Sequence, residues 1–311
     1  MSFTTEIKQE IANVELADHC IRAELSALIQ LTSSLTISSN GLGILVRSES
    51  PTTTKRIVSL LKNYFDVETH LQVAKKTNLK KNNVYTVEIH HLASKIMSDL
   101  GLYNEKGLQS HPNYEVVNKN CCAASYLAGV FLAYGSCNSP SNSNYHLEMS
   151  LSEIEHANFV VKLLSRFDIT AKITQRRSRF IVYVKKADYI SNFLALIGAH
   201  TAMMQLEDER IERDFVNSNS RINNCEIANE VKTINASLKQ VEQIEKIIAA
   251  GKYDKLPEKI RNVVDLRMKY QDYSLLELCD AYQSMYGDAI SKSGMKHRLN
   301  KIEQIAEDLE D

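Results

Sequence analysis

Between Lys292 and Lys301 the chain carries Lys292, Ser293, Lys296, His297, Arg298, Asn300 and Lys301, with no carboxylate before Glu303. Cations and hydroxyls of this kind neutralise and hydrogen-bond phosphates, whereas Asn and Arg pair with base edges. Met295, Leu299 and Ile302 recur at helical spacing on another face. One side of such a helix packs and the other meets solvent or a polyanion. The pattern predicts a recognition helix capped by Ser291, with Lys301 on a phosphate and the other polar residues in the major groove or on its flanking phosphates. A helical bundle with a merely solvated last helix gives a similar pattern, so the neighbouring elements matter.

Ser274-Leu275-Leu276-Glu277 reads as a capping box, in which the serine hydroxyl and the glutamate carboxylate satisfy each other's backbone amides. The helix it opens places Leu275, Leu276, Cys279 and Tyr282 on one side, and a polar break with Gly287 and Asp288 follows. The loop from Tyr282 to Ser291 then exceeds the three or four residues usual in a helix-turn-helix. Leu256-Pro257-Glu258-Lys259 opens the preceding helix, and Ile260, Val263, Val264 and Met268 form its buried stripe. Three short helices, the last one basic, predict a DNA-binding helix-turn-helix over Ser274 to Ile302. Upstream, residues 216–224 are polar and turn-forming, a natural linker. Asn224 stands where it would cap a long helix from about Cys225 to Ala250, with an apolar stripe of Ile227, Val231, Ile234, Leu238, Val241 and Ile248. Asn229 and Lys232 would brace this helix or hydrogen-bond DNA.

The first two thirds of the chain contain a repeat. Residues 20–35 match residues 122–137 at an offset of 102, Leu25 falling on Leu127, Ala27 on Gly129 and Ser34 on Ser136. The likeness continues from Ile57–Val67 to Phe159–Ile169, so a duplication of roughly a hundred residues is the economical reading. In each copy a helix precedes two strands, a second helix, two more strands and a last helix. Asn40-Gly41 marks the first hairpin turn, and Tyr145–Leu151 alternates as a half-buried strand does. The fold class is therefore α+β: a duplicated αββαββα domain, halves 1–105 and 118–216, then a linker helix and an all-α helix-turn-helix domain over 217–311. Helices on one face of each antiparallel sheet leave the other face open. Lys75, Lys76, Lys80 and Lys81 in one copy, and Arg176, Arg177 and Arg179 in the other, sit at equivalent hairpins and predict secondary contacts to an anionic backbone.

A net charge of -1 excludes a protein that coats nucleic acid indiscriminately, so any DNA contact comes from local patches. No apolar run approaches ~18 residues, and the first residues lack the pattern of a secretory signal. The six cysteines are scattered without a C-x-x-C pair. They read as small buried residues in a reducing cytoplasm, with a redox role for Cys121 and Cys122 as the lesser reading. No metal or cofactor is expected. His90-His91 lacks a third ligand at useful spacing, His200 lacks a catalytic partner, and Glu207-Asp208-Glu209 reads as a solvated helix face.

The run Leu127-Ala128-Gly129-Val130-Phe131-Leu132-Ala133-Tyr134-Gly135 resembles the LAGLIDADG signature of homing endonucleases. Ala128, Gly129 and Ala133 would let two such helices pack closely. In those nucleases the eighth position is the acid that binds the catalytic divalent cation. Here it is Tyr134, and Thr32 in the first copy. Neither replaces a carboxylate, so no enzymatic activity is expected.

Across essentially its whole length the chain resembles the WhiA-type regulators of Gram-positive bacteria. The residues that carry this likeness are the Cys122–Ser136 helix, Leu196-Ile197-Gly198-Ala199-His200, Asn224-Cys225-Glu226 with Ala228-Asn229 and Lys232-Thr233, Leu256-Pro257-Glu258-Lys259, Ile290-Ser291-Lys292-Ser293-Gly294 and His297-Arg298-Leu299. The resemblance implies a cytoplasmic, nucleoid-associated protein that binds double-stranded DNA and regulates transcription in sporulation, cell division or chromosome segregation. Its C-terminal module is similar to the promoter-reading region of sigma factors, and other regulators, RNA polymerase or division proteins are the implied partners. The chain departs from the family pattern in its Tyr282–Ala289 loop and at Lys296 and Asn300, so its docking angle and preferred sequence are expected to differ. Two other readings compete. One is a division or nucleoid scaffold acting through protein contacts; the other is a metal-dependent nuclease, against which positions 32 and 134 argue.

Overall fold

In the computed structural model, residues 2–38, 41–75, 83–90, 92–142 and 144–309 are described. The chain forms two units, Met1–Arg213 and Asp214–Asp311. The first opens with α1 (Phe3–Ile11), whose Phe3, Ile7 and Ile11 are buried and whose N-cap Ser2 accepts from the Thr5 amide. The first repeat follows as α2 (Asp18–Thr32), β1 (Ser33–Ser38), β2 (Gly41–Ser48), α3 (Pro51–Phe65), β3 (His70–Lys75), β4 (Asn83–Ile89) and α4 (Ala93–Asp99). A small hairpin, β5 (Tyr103–Asn104) and β6 (Gly107–Leu108), separates it from the second. That copy comprises α5 (Asn120–Tyr134), β7 (Gly135–Cys137), β8 (Leu147–Leu151), α6 (Ile154–Ser165), β9 (Lys172–Arg176), β10 (Arg179–Val184) and α7 (Ala187–Leu196).

The expected duplicated αββαββα pattern is present. Each copy contains a four-stranded antiparallel sheet, ordered β1-β2-β4-β3 in one and β7-β8-β10-β9 in the other. Alternation along the strands buries Ile44, Val46, Val87 and Ile89 in the first sheet and Leu147, Met149, Leu151, Val182 and Val184 in the second, against the helices. Between the sheets' helical layers lie α2 and α5, packed along their length. Gly129 permits this approach: a Cβ there would stand 2.7 Å from the Glu24 carbonyl oxygen and 2.9 Å from Ala27 Cβ. Both helices end where a strand begins, Thr32 leading into β1 and Tyr134 into β7, so the repeat is reproduced to the residue. The turn expected at Asn40-Gly41 lies partly outside the described residues, as does His91.

Helix α8 (His200–Ala249) continues from the first unit into the second. Residues 216–224 belong to it, so the polar stretch read as a turn-forming linker is helical, and Asn224 lies in mid-helix and not at a cap. Asn and Ser there are weak helix formers, but each costs only a few tenths of a kcal/mol. Helix already formed on both sides propagates through them where no Gly or Pro interrupts. The cap at the start of α8 is supplied from elsewhere: Glu10 accepts from the Thr201 and Ala202 amides at 2.6 and 3.2 Å.

The second unit adds α9 (Glu258–Lys269), α10 (Leu275–Tyr286) and α11 (Lys292–Glu307). Its separate core joins Ile244 and Ile247 of α8 to Ile260, Val263, Val264, Leu266, Leu278, Cys279, Tyr282, Met295, Leu299 and Ile302. The apolar stripe expected on α8 does not build this core. Ile227, Val231, Ile234, Leu238 and Ile248 are exposed, because the buried edge of α8 is the one carrying Ser237, Gln243, Ile244 and Ile247.

Candidate nucleic-acid interface

The capping box of α10 forms in full. The Ser274 amide donates to Glu277 Oε2 at 2.7 Å and the Glu277 amide donates to Ser274 Oγ at 3.4 Å. Leu278, Cys279 and Tyr282 point into the core, while Leu276 is exposed, so the inward face is turned from the one expected. The helix continues to Tyr286, and Gly287 closes it in the left-handed region at φ 77°. The turn is therefore only Gly287-Asp288-Ala289-Ile290-Ser291, shorter than the Tyr282–Ser291 loop read from the sequence. Tyr286 keeps the last turn helical by packing on the core and donating to the Asn262 carbonyl at 3.3 Å.

Ser291 caps α11, its Oγ accepting from the Gly294 amide at 3.2 Å. Gly294 leaves room for this arrangement, since a Cβ would come within 3.2 Å of Ile290 Cγ1 and 3.3 Å of Ser291 Oγ. With about 100° between successive residues, Met295, Leu299, Ile302 and Ala306 share the buried face. Lys292, Ser293, Lys296, His297, Asn300 and Lys301 span the opposite, exposed side. Among the described residues none of these lysines forms an ion pair. Arg298 falls on the other flank and is half-buried, its guanidinium 5.1 Å from the centre of the Tyr282 ring and Nη1 3.5 Å from the Lys259 carbonyl. That side chain braces α11 against α9 and α10 and stands apart from the exposed row.

A groove of ≈ 240 Å³ lies beside the start of α11, lined by Lys232, Thr233, Gln240, Ser274 and Lys292 among others. It joins Lys232 of α8 to the basic row of α11, while Asn229 donates to Cys225 Sγ at 3.7 Å. At its back lies Arg267, only 2% exposed. Its Nη1 donates to the carbonyls of Tyr273 at 2.7 Å and Gln271 at 3.3 Å. The guanidinium thus gathers the α9–α10 turn that positions the capping box. Sequence reasoning passed over Arg267; an arginine inside an otherwise apolar stripe, beside Leu266 and Met268, was the available signal.

In the first unit the open sheet faces carry the secondary candidates. Arg176 pairs with Glu148 at 3.6 Å and is exposed, and Arg177 occupies the turn at φ 56°. Arg179 is held internally: Nε donates to Ser150 Oγ at 2.8 Å, and the guanidinium lies 4.8 Å from the Tyr134 ring centre. Lys172, opposite Tyr183 on the same sheet, is exposed. Lys75 ends β3 and is exposed, whereas Lys76, Lys80 and Lys81 lie outside the described residues.

Thr32 and Tyr134 meet at a groove of ≈ 820 Å³ lined also by Lys8, Arg47, Ser48, Glu49, Ser50 and Thr86. Thr32 Oγ1 donates to the Leu28 carbonyl at 2.7 Å, so its hydroxyl is spent within α2. Burial pushes the half-buried Lys8 ammonium down to about 8. Two hydroxyls, those of Thr32 and Tyr134, therefore occupy the eighth positions of the two signature helices, beside Lys8, Arg47 and Glu49.

The cysteines are not uniformly buried. Cys20, Cys122, Cys137 and Cys279 are, but Cys121 and Cys225 are exposed. Cys20, Cys121 and Cys122 come together with His19 at the opposite ends of α2 and α5 from Thr32 and Tyr134, a cluster that sequence spacing did not reveal.

The WhiA N-terminal LAGLIDADG-like domain family matches residues 18–103, the WhiA LAGLIDADG-like domain family residues 123–216, and the WhiA C-terminal HTH domain family residues 219–306. A "Probable cell division protein WhiA" of Bacillus pumilus (strain SAFR-032) is 43% identical over 310 residues, spanning 99% of this chain and 97% of the relative. The protein of the same description from Bacillus cereus (strain G9842) has the same identity and coverage. Full-length DUF199/WhiA from Thermatoga maritima, a crystal structure, aligns with a TM-score of 0.60 at 25% identity over 99% of this chain and 98% of that one. The crystal structure of the N-terminal LAGLIDADG domain of DUF199/WhiA aligns at 0.50 and 26% identity, covering 63% of this chain and 90% of the other.

Proposed function

The chain belongs to the WhiA family, and from that premise we propose that it is a non-enzymatic regulator that binds double-stranded DNA and controls transcription tied to cell division and chromosome segregation. The observation that carries this reading is the two-sided character of α11. Its apolar face closes the core, and its other side offers Lys292, Ser293, Lys296, His297, Asn300 and Lys301 to solvent without a carboxylate among them. Lys292, Lys296 and Lys301 neutralise phosphates, and Asn300 and His297 reach base edges. Ser291 and Arg298 serve chiefly by holding the helix. Lys75, Arg176 and Arg177 add non-specific phosphate contacts from the duplicated domain. We divide the chain into halves 1–105 and 118–216 and a DNA-binding region 217–311. The protein acts in the cytoplasm on the nucleoid, where RNA polymerase, other regulators or division proteins are its partners.

The test is DNA binding by the full chain as a function of salt. Each lost phosphate contact lowers the steepness of log K against log salt by about 0.9. Lys296→Ala and Lys301→Ala should each flatten the slope by about that amount, whereas Asn300→Ala should lower discrimination between sequences by ~1–3 kcal/mol with little change in slope. Unchanged slopes in both lysine variants would remove α11 as the reader. A second reading, a division scaffold acting through protein contacts, is favoured by the exposed Ile227, Val231, Ile234 and Leu238 on α8. It predicts that cells carrying Lys296→Ala with Lys301→Ala divide normally although DNA binding is lost.

A further inference from the structure

We propose that His19, Cys20, Cys121 and Cys122 form a structural zinc site that joins the first turns of the two central helices, α2 and α5. The duplication explains how four ligands scattered over the chain converge. His19 and Cys121 are equivalent at the offset of 102, as are Cys20 and Cys122. Because α2 starts at Asp18 and α5 at Asn120, each pair occupies the second and third residues of its helix. Packing the two helices against each other then brings both pairs to one place.

The ligand atoms all lie within 4.8 Å of one another. His19 Nδ1 is 3.2 Å from Cys20 Sγ, 3.3 Å from Cys122 Sγ and 4.0 Å from Cys121 Sγ. A zinc tetrahedron with Zn–S near 2.3 Å and Zn–N near 2.0–2.1 Å has edges of about 3.5–3.8 Å. Shifts below an ångström, at side chains in the outermost helical turns, close that figure. Three sulfurs and one imidazole nitrogen are a donor set for Zn²⁺ and a poor one for magnesium, calcium or manganese. With four protein ligands no coordination position is left for a substrate, which marks the site as structural.

The surroundings suit three thiolates. Cys20 and Cys122 are buried while His19 and Cys121 are exposed, so the ion has an entry path on one side and a dehydrated seat on the other. The positive ends of both helix dipoles favour thiolates at these positions. Zinc uptake displaces the thiol protons to solvent. The site lies about 20 Å along the helices from Thr32 and Tyr134, and its effect falls on how firmly the two halves are held together.

The experiment uses the full chain, purified with a reducing agent and no chelator. Mass-spectrometric metal analysis should find about one zinc per chain. Replacement by cobalt(II) should give thiolate-to-cobalt charge-transfer bands and the intense ligand-field bands of a tetrahedral site. Cys121→Ser, at an exposed position, should weaken zinc binding by more than about 100-fold, and Cys225→Ser, an exposed thiol outside the cluster, should leave it unchanged. The cobalt spectrum of the unsubstituted protein decides the matter even if Cys121→Ser fails to fold. Absence of zinc together with an octahedral cobalt spectrum overturns the proposal. So does Cys121→Ser binding zinc as tightly as the parent, or a Cys20–Cys122 disulfide in a protein that takes up no metal after reduction.

Discussion

His156 is only 2% exposed, and its Nε2 lies 2.8 Å from the Tyr126 hydroxyl oxygen. The Tyr126 hydroxyl donates onward to Gln30 Oε1 at 3.0 Å, which assigns the Nε2–H tautomer to a neutral His156. Burial, reinforced by His111, pushes the imidazole down from 6.5 to about 4. A base that resists protonation in the folded state contributes stability that is present above the unfolded value. That stability is lost as pH falls from 6.5 toward 4, where the unfolded chain binds the extra proton. The loss should be on the order of 3 kcal/mol, and denaturant titrations of His156→Gln should lack it over that window. Arg267 belongs to the same scale. Its removal strands carbonyls of the α9–α10 turn, so Arg267→Leu should cost roughly 2–4 kcal/mol and lower the midpoint of unfolding in urea. His156 was not legible from residue type, because a lone His acquires meaning only from what burial places around it, and Arg267 showed in the sequence only as a cation within an apolar stripe. Ser274, Glu277 and Ser291 were legible, since a cap depends on neighbours three residues away in the chain.

The α2–α5 pair shows what an element can demand of one side chain. Gly129 faces the Glu24 carbonyl at a distance that a Cβ would shorten to 2.7 Å. Gly129→Val should therefore push the helices apart and cost about 3 kcal/mol, read as a lowered midpoint in chemical denaturation. The close approach was predicted from Ala128, Gly129 and Ala133, and the duplicated run of helices and strands was readable because its periodicity is local and occurs twice. Errors arose where local signals are weak. Residues 216–224 look like a turn by composition, yet nothing in them stops a helix, and α10 runs to Tyr286 because Tyr286 finds a core to pack on. Arg179 stands at the hairpin tip opposite Arg176, and Ser150 and Tyr134 hold its guanidinium.

At the scale of the molecule, two hydrophobic cores share no residue among those described, one built within residues 3–206 and the other from Ile244 to Ala306. Calorimetry should resolve two unfolding transitions. Gly129→Val should lower only one of them, and Leu299→Ala, which empties a buried site in the other core at a cost of roughly 2–5 kcal/mol, should lower the second. A single transition moved by both substitutions would refute this division. A chain of net charge -1 presents a basic helix because charge is distributed by face and not by sum. By itself the sequence determined the duplicated α+β architecture, the three-helix module and its caps, and the polar row on α11, because each follows from periodicity or from residues a few positions apart. Only the tertiary structure decided that Arg298 braces Tyr282 and Lys259, that the stripe on α8 stays exposed, and that His19, Cys20, Cys121 and Cys122 meet. Those outcomes depend on which helix faces pack against residues distant in the chain, and no local spacing encodes that choice.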